Sequence, residues 1–323
     1  MTSARDVGRT ILAVLVSRLA RLSAARAGAV LVYHRVGGDR GNPHFEILAS
    51  VSSDVFARQV GHLRRHYRVV PAAQLVDAVR SRRRGQKFPV SITFDDDLAS
   101  HVGYAVPALQ RAGVPATFFL GGVSLEAPHP FWWEDLQRAV DERLIRPDAL
   151  PHVSEEDLRA ALERAPKSIF RVAAAIERLD PAERNETAAA LRTAVGTPAG
   201  DEGLRAGQVQ SLVAAGFDVG FHTLGHDHLP ALPDPALERA LHEGREALAA
   251  VVGTRLDLIS YPYGKADERV AEAARAAGFT QGFTTKRKSV TADTDPLLIP
   301  RMPPAMSVGK TALRLARAVA PWS

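Results

Sequence analysis

A rhythm constrains this chain more than any other feature. Short apolar runs rich in β-branched and aromatic residues alternate with longer stretches of helical periodicity. The runs are 29–33, 90–94, 116–120, 217–221, 256–260, 279–283 and 297–300, and the helical stretches include 54–66, 71–83, 102–112, 207–215, 235–252 and 267–277. A strand that is apolar throughout, rather than at every second residue, is covered on both faces, as in a parallel sheet flanked by helices. Three helical stretches end in Ala-Gly, at 112–113, 215–216 and 277–278, where glycine supplies a left-handed cap. So many strand–helix units favour a closed barrel over an open sheet. The expected fold class is α/β, a distorted (β/α)7–8 barrel.

The stretch 123–203 breaks the rhythm. It opens on Phe131-Trp132-Trp133, continues as Ala/Glu/Arg-rich helical sequence punctuated by Pro151, Pro166 and Pro181, and contains no evident strand. It reads as a helical insertion after a barrel strand, at the end where barrel loops build active sites. The two Trp residues either anchor the insertion's core or stack on a sugar ring. The expected organisation is an N-terminal amphipathic helix (1–27), two barrel parts (28–122 and 204–305) around the insertion (123–203), and a C-terminal helix (306–323).

Composition narrows the functional classes. With 46% hydrophobic and 24% charged residues, the chain is neither disordered nor a multi-span membrane protein. It has no Cys, which excludes disulfides, thiolate metal sites and a cysteine nucleophile, and fits a cytoplasmic location. The net charge of +5 is partly local, in Arg80, Arg82, Arg83 and Arg84 and in Lys286-Arg287-Lys288. Such runs read as solvated faces; without a recognition motif, no nucleic-acid partner is expected. Ile11, Leu12, Val14, Leu15 and Val16 form too short a stretch to span a bilayer. It reads as an amphipathic helix whose apolar face rests on the barrel or, in the alternative, on a lipid surface, and 308–319 has the same character.

Three polar clusters follow strand runs: Thr93-Phe94-Asp95-Asp96-Asp97, His222-Thr223-Leu224-Gly225-His226 and Tyr261-Pro262-Tyr263-Gly264. In a parallel barrel all strand ends meet at one rim. Two imidazoles four residues apart on a helical turn would share a face, and one carboxylate completes a three-ligand site that leaves a position open. A second carboxylate beside it can take a proton from water. Each cluster alone has an ordinary explanation: helix capping, a surface pair, a plain turn. Their combination at strand ends is much more specific.

With these motifs the chain resembles the polysaccharide deacetylase family, also called the NodB-homology family or carbohydrate esterase family four. Thr93 to Asp96 match its T-F-D-D motif, His222, Thr223 and His226 its H-[ST]-x-x-H motif, and Pro262-Tyr263-Gly264 the end of its third. The resemblance runs from about Val30 to Arg301, interrupted by the insertion. It implies that Asp95 is the general base and that Asp96, His222 and His226 hold a divalent metal, zinc before cobalt, nickel or iron. The Tyr263 backbone N–H would bind the oxyanion, and Thr223 would orient a ligand. The implied reaction is hydrolysis of an N-acetyl group from an amino sugar.

The departures from the family pattern are informative. Asp97 stands where many members have Gly; it either caps the next helix or adds a third charge at the rim. Ser260 stands where an Arg usually orients the base, and Arg301 is a candidate replacement, an ordinary surface salt bridge being the alternative. The late His that supplies the acid is missing. A circularly permuted subset uses an early His after a Tyr, and Val32-Tyr33-His34-Arg35-Val36 fits it, so His34 is the candidate acid or else a structural residue. His101 and His228 are weaker candidates for the site. The insertion favours a small, lipid-linked or glycosylated-metabolite substrate over a long polymer, with peripheral membrane contact as an accompanying expectation. Alternatives are a deformylase or other C–N amide hydrolase, and a catalytically silent carbohydrate-binding module.

Overall fold

The computed structural model describes residues 3–37, 42, 44–48, 50–196 and 203–320. Its strands are β1 (Ala27–Tyr33), β2 (Arg68–Val69), β3 (Pro89–Asp95), β4 (Thr117–Leu120), β5 (Asp218–Phe221), β6 (Leu258–Ser260), β7 (Gln281–Phe283) and β8 (Val290–Thr291). They form one curled sheet in the order β7-β6-β5-β4-β3-β1-β8, with β2 beside β3. All pairings are parallel except the short β1–β8 contact. This is the expected α/β barrel architecture. Residues of β3 are buried along its whole length, as a strand covered on both faces must be.

The expected strand at 297–300 is an irregular stave. Ile299 N–H donates to the Gly282 carbonyl and the Ile299 carbonyl accepts from Thr284, both at 2.8 Å. Three residues later Met302 donates to Val30 (2.9 Å) and accepts from Val32 (3.1 Å). The segment thus bonds β7 first and β1 next, joining the two ends of the parallel array. Pro296, Pro300 and Pro303 lack the N–H a regular ladder needs, which accounts for its irregularity.

Elsewhere, local chemistry altered the expected elements. The single helix expected over 235–252 is two, Asp234–His242 and Arg245–Val252, split where Gly244 adopts φ +76°. The stretch 71–83 contains a 3₁₀ turn (Ala72–Gln74) and a short helix (Leu75–Arg80). β2 and β8 were not expected, because two-residue strands carry no readable alternation.

Between β4 and β5 the described residues form helices and no strand. The four helices Trp132–Asp141, Glu155–Leu162, Ser168–Ile176 and Pro181–Val195 share an apolar cluster built around Leu136, Leu158, Val172, Ile176 and Leu191. Trp132 and Trp133 belong to that cluster. Polar ties dock it on the barrel rim: Glu134 pairs with Arg35, Gln137 accepts from Ile47 N–H (2.9 Å), and Arg184 donates to the Gly225 carbonyl (3.1 Å) and to Asp227.

Two surface expectations are corrected. Arg82 is buried, not solvated: its guanidinium lies 3.7 Å from the Phe88 ring centroid and donates to the carbonyls of Arg21, Ser23, Ala25 and Gln86. The N-terminal helix (Ala4–Arg21) rests Val16 and Ala20 on the barrel core but not most of its large apolar residues. It buries Asp6, Ala13, Ser17 and Ala20 and turns Ile11, Leu12, Leu15 and Leu19 outward.

Candidate metal-centred active site

The strand register brings the three polar clusters to one rim. Asp95 pairs with Phe119 across β3–β4, Leu120 with Phe221 across β4–β5, and Ser260 with Phe283 across β6–β7. Asp96 and His222 each follow the last residue of a strand, and Tyr263 lies just past β6.

The Asp96 Oδ1 atom lies 3.5 Å from Nε2 of His222 and 3.5 Å from Nε2 of His226. The three donor atoms all fall within 4.8 Å of one another. Ligands sharing one tetrahedral zinc ion are about 3.4 Å apart, so this spacing suits a single ion. The His222 Nδ1–H donates to the Ser260 carbonyl at 2.7 Å; a carbonyl only accepts, so this bond fixes the tautomer and leaves Nε2 as the ligating atom. His226 Nδ1 is buried without a partner among the described residues, and its ring is wedged between Trp133 (5.0 Å between centroids) and Tyr263 (4.6 Å). A donor set of one carboxylate and two oriented imidazoles fits a divalent ion such as zinc. Burial would raise the Asp96 carboxyl, but its bonds to His222 and His226 outweigh that and hold it well below the carboxylate range.

His222 and His226 do not share a helical face, contrary to the i,i+4 expectation. The segment is a loop, with Thr223 at φ +58° and His226 at φ +46°. Asp96 (φ +70°) and Tyr263 (φ +57°) are also left-handed, so four of the eight such non-glycine residues described lie in the site. Such backbone is costly, most of all for β-branched Thr223, and persists only where surrounding structure enforces it. The Thr223 hydroxyl is buried and has no hydrogen-bond partner among the described residues.

Asp95 stands apart from the donor triad. Arg301, fully buried, grips it with two bonds, 2.7 Å to Oδ1 and 2.6 Å to Oδ2. Ser260 Oγ donates to Oδ2 at 3.1 Å and accepts from Arg301 at 2.7 Å. The guanidinium is itself held by the Thr284 carbonyl (3.1 Å) and lies within reach of the Thr93 hydroxyl (3.3 Å). This is a buried network, not the surface pair that was the alternative. Burial pushes the Asp95 carboxyl up, but Arg301 and His222 together bring it below its ordinary value.

Asp97 neither caps a helix nor faces solvent. It is buried and accepts the N–H groups of Gly121 and Gly122, each at 3.0 Å, tying the ends of β3 and β4 together. Burial pushes its carboxyl up to about 6 against those bonds. Gly121 must be glycine, because a Cβ there would lie 2.8 Å from the Thr223 carbonyl oxygen.

His34 lines a cavity of about 380 Å³ shared with Asp95, Asp96, His222, His226 and Tyr263. His101 lies behind the site, fully buried, with Nε2–H donating to the His34 carbonyl at 3.0 Å and its ring against Phe94. His228 stacks loosely on Tyr263 (6.2 Å) and is not in the donor triad. The insertion contributes Trp132, Trp133, Phe170 and Glu177 to this cavity, and Lys265 completes that wall. Burial raises Glu177 to about 7 despite nearby Lys265 and Arg178. A second cavity of about 460 Å³ opens on the other side of the triad, between Asp97 and the insertion's Arg184 and Arg192. Sequence reasoning missed the roles of Ser260, Glu177 and Lys265. Ser260 was visible as a strand-end substitution for an expected Arg; Glu177 carried no local signal.

A curled parallel barrel with an Asp/His/His triad and a separate buried carboxylate at its rim defines a class of hydrolase scaffold. The polysaccharide deacetylase family model matches residues 82–146 and 179–282, over half of the chain, and the protein belongs to that family, whose members are hydrolases acting on N-acetyl groups of carbohydrates. The unmatched interval falls within the helical insertion. The fold is similar to that of Streptococcus pyogenes deacetylase PplD, solved in complex with acetate, with a TM-score of 0.60 and 14% identity over 91% of this chain and 99% of that one. It is also similar to IcaB from Ammonifex degensii, with a TM-score of 0.58 and 18% identity over 91% of this chain and 97% of that one. At such identities the likeness is one of fold. No curated protein matches the sequence.

Proposed function

We propose that the protein hydrolyses the N-acetyl group of an amino sugar, with Asp96, His222 and His226 holding a divalent ion and Asp95 as general base. One observation carries the reading: a complete donor triad stands beside a buried carboxylate that is not part of it and has its own guanidinium. Bound there, a zinc ion, or cobalt, nickel or iron on the same donors, would polarise the amide carbonyl and acidify the attacking water.

The chain's own groups do the rest. Asp95 accepts a proton from the water as its oxygen bonds to the acyl carbon. Arg301 and Ser260 keep that carboxylate ionised and aimed. The Tyr263 N–H donates to the oxyanion, while its ring keeps His226 in place. As the C–N bond breaks, His34 delivers a proton to the leaving amine. Acetate, the ligand of the PplD structure, would be the acyl product. The insertion roofs both cavities, which favours a compact N-acetylated sugar, free, on a metabolite or on a lipid carrier, over the interior of a long polymer.

Chelation should abolish acetate release and zinc should restore it. His222→Ala should lose both bound metal, by elemental analysis, and turnover; full turnover by metal-free protein would refute the reading. His34→Ala should slow turnover about 100-fold with metal content unchanged, as expected for loss of an acid. An unchanged rate would move the acid role elsewhere.

A further inference from the structure

The N-terminal helix Ala4–Arg21 is inverted relative to an ordinary packing helix. The residues it buries are small or polar: Asp6, Ala13, Ser17 and Ala20. Asp6 and Ala13 face the helix Val308–Val319, where Ala13 meets Ala312 and Ala316 in a shared cluster and Asp6 Oδ1 accepts the Gly309 N–H at 3.1 Å, while Ala20 packs into the barrel core. Gly309 leaves room for that approach, since a Cβ there would lie 2.2 Å from the Asp6 carbonyl oxygen. The close seam of small residues leaves the bulky ones outside. Val7, Ile11, Leu12, Leu15, Leu19 and Leu22 are 47–60% exposed, and only Tyr104 and Leu144 join them as exposed large apolar residues among those described. At 100° per residue the six fall within an arc of about 140°.

The charge around this face has one sign. Arg5 and Arg18 are exposed and sit near the two edges of the arc, and the helix's only acid, Asp6, is buried in the seam. A second copy of the chain would set arginine rim against arginine rim, whereas an anionic bilayer complements both the apolar arc and its cationic edges. No described helix is long and apolar enough to cross a membrane, which leaves an in-plane arrangement.

We infer that this helix seats the protein on an anionic lipid surface, with the six apolar side chains in the headgroup–acyl boundary and Arg5 and Arg18 at the phosphates. The inference stands on the helix alone and does not depend on the hydrolase reading.

The test is co-sedimentation of the full chain with vesicles of phosphatidylcholine containing phosphatidylglycerol. The chain should bind, bind less to pure phosphatidylcholine, and bind less as salt screens the arginines. Ile11→Gln/Leu15→Gln/Leu19→Gln, at exposed positions, should lower the bound fraction about tenfold while thermal unfolding stays close to that of the unsubstituted chain. Two results would overturn the inference: no binding to either vesicle, or a dimer in sedimentation equilibrium that these substitutions dissolve without any vesicle binding.

Discussion

Asp95→Asn should leave the metal content intact and lower acetate release by about 10²–10⁴-fold, the ordinary worth of a general base. The two halves of that result come from separate features. Asp95 is outside the donor triad, so an isosteric amide there leaves Asp96, His222 and His226 in place. The amide cannot take the proton from water, so the attack step loses its acceptor. Elemental analysis beside an acetate assay reads both halves. Wild-type turnover would remove Asp95 from the mechanism; metal loss would mean the triad leans on it.

The largest effect on stability is expected at Arg301. Arg301→Met keeps the length of the side chain but strips the buried Asp95 of its two charged bonds, leaving chiefly the Ser260 hydroxyl. Removing one partner of a buried ion pair costs about 3–5 kcal/mol, because the other charge stays desolvated. For a chain of 323 residues that lowers the thermal midpoint by roughly 4–7 °C. Asp95→Asn/Arg301→Met should recover part of the loss, since the orphaned charge is gone. Calorimetry on the four proteins gives the coupling directly. A midpoint within a degree of wild type in Arg301→Met would mean Asp95 is neutral or solvated in the native state.

What could be read in the sequence was whatever sits in consecutive residues. The T-F-D-D and H-T-x-x-H segments announce themselves because strand ends deliver neighbouring side chains to one rim. Arg301 was legible only as a candidate, since its partner is distant in the chain and nothing local says which carboxylate it meets. Glu177 reaches the cavity from an insertion whose docking depends on tertiary contacts such as Gln137 with Ile47. Helical periodicity in the N-terminal segment showed that apolar residues share a face but not whether that face turns inward. The seam of small residues decided it. The His222–His226 spacing suggested a helix, and the left-handed loop that actually forms shows that i,i+4 spacing alone does not specify backbone.

The guanidinium that grips Asp95 is carried by the stave that joins β7 to β1, the last barrel segment of the chain to emerge in synthesis. Until that piece docks, Asp95 has no cation, and sealing it inside would be prohibitive. Completion of the cylinder and pairing of the Asp95 carboxylate are therefore one event. A nascent or truncated product that stops short of Arg301 should be a poorly closed fold as well as an idle enzyme.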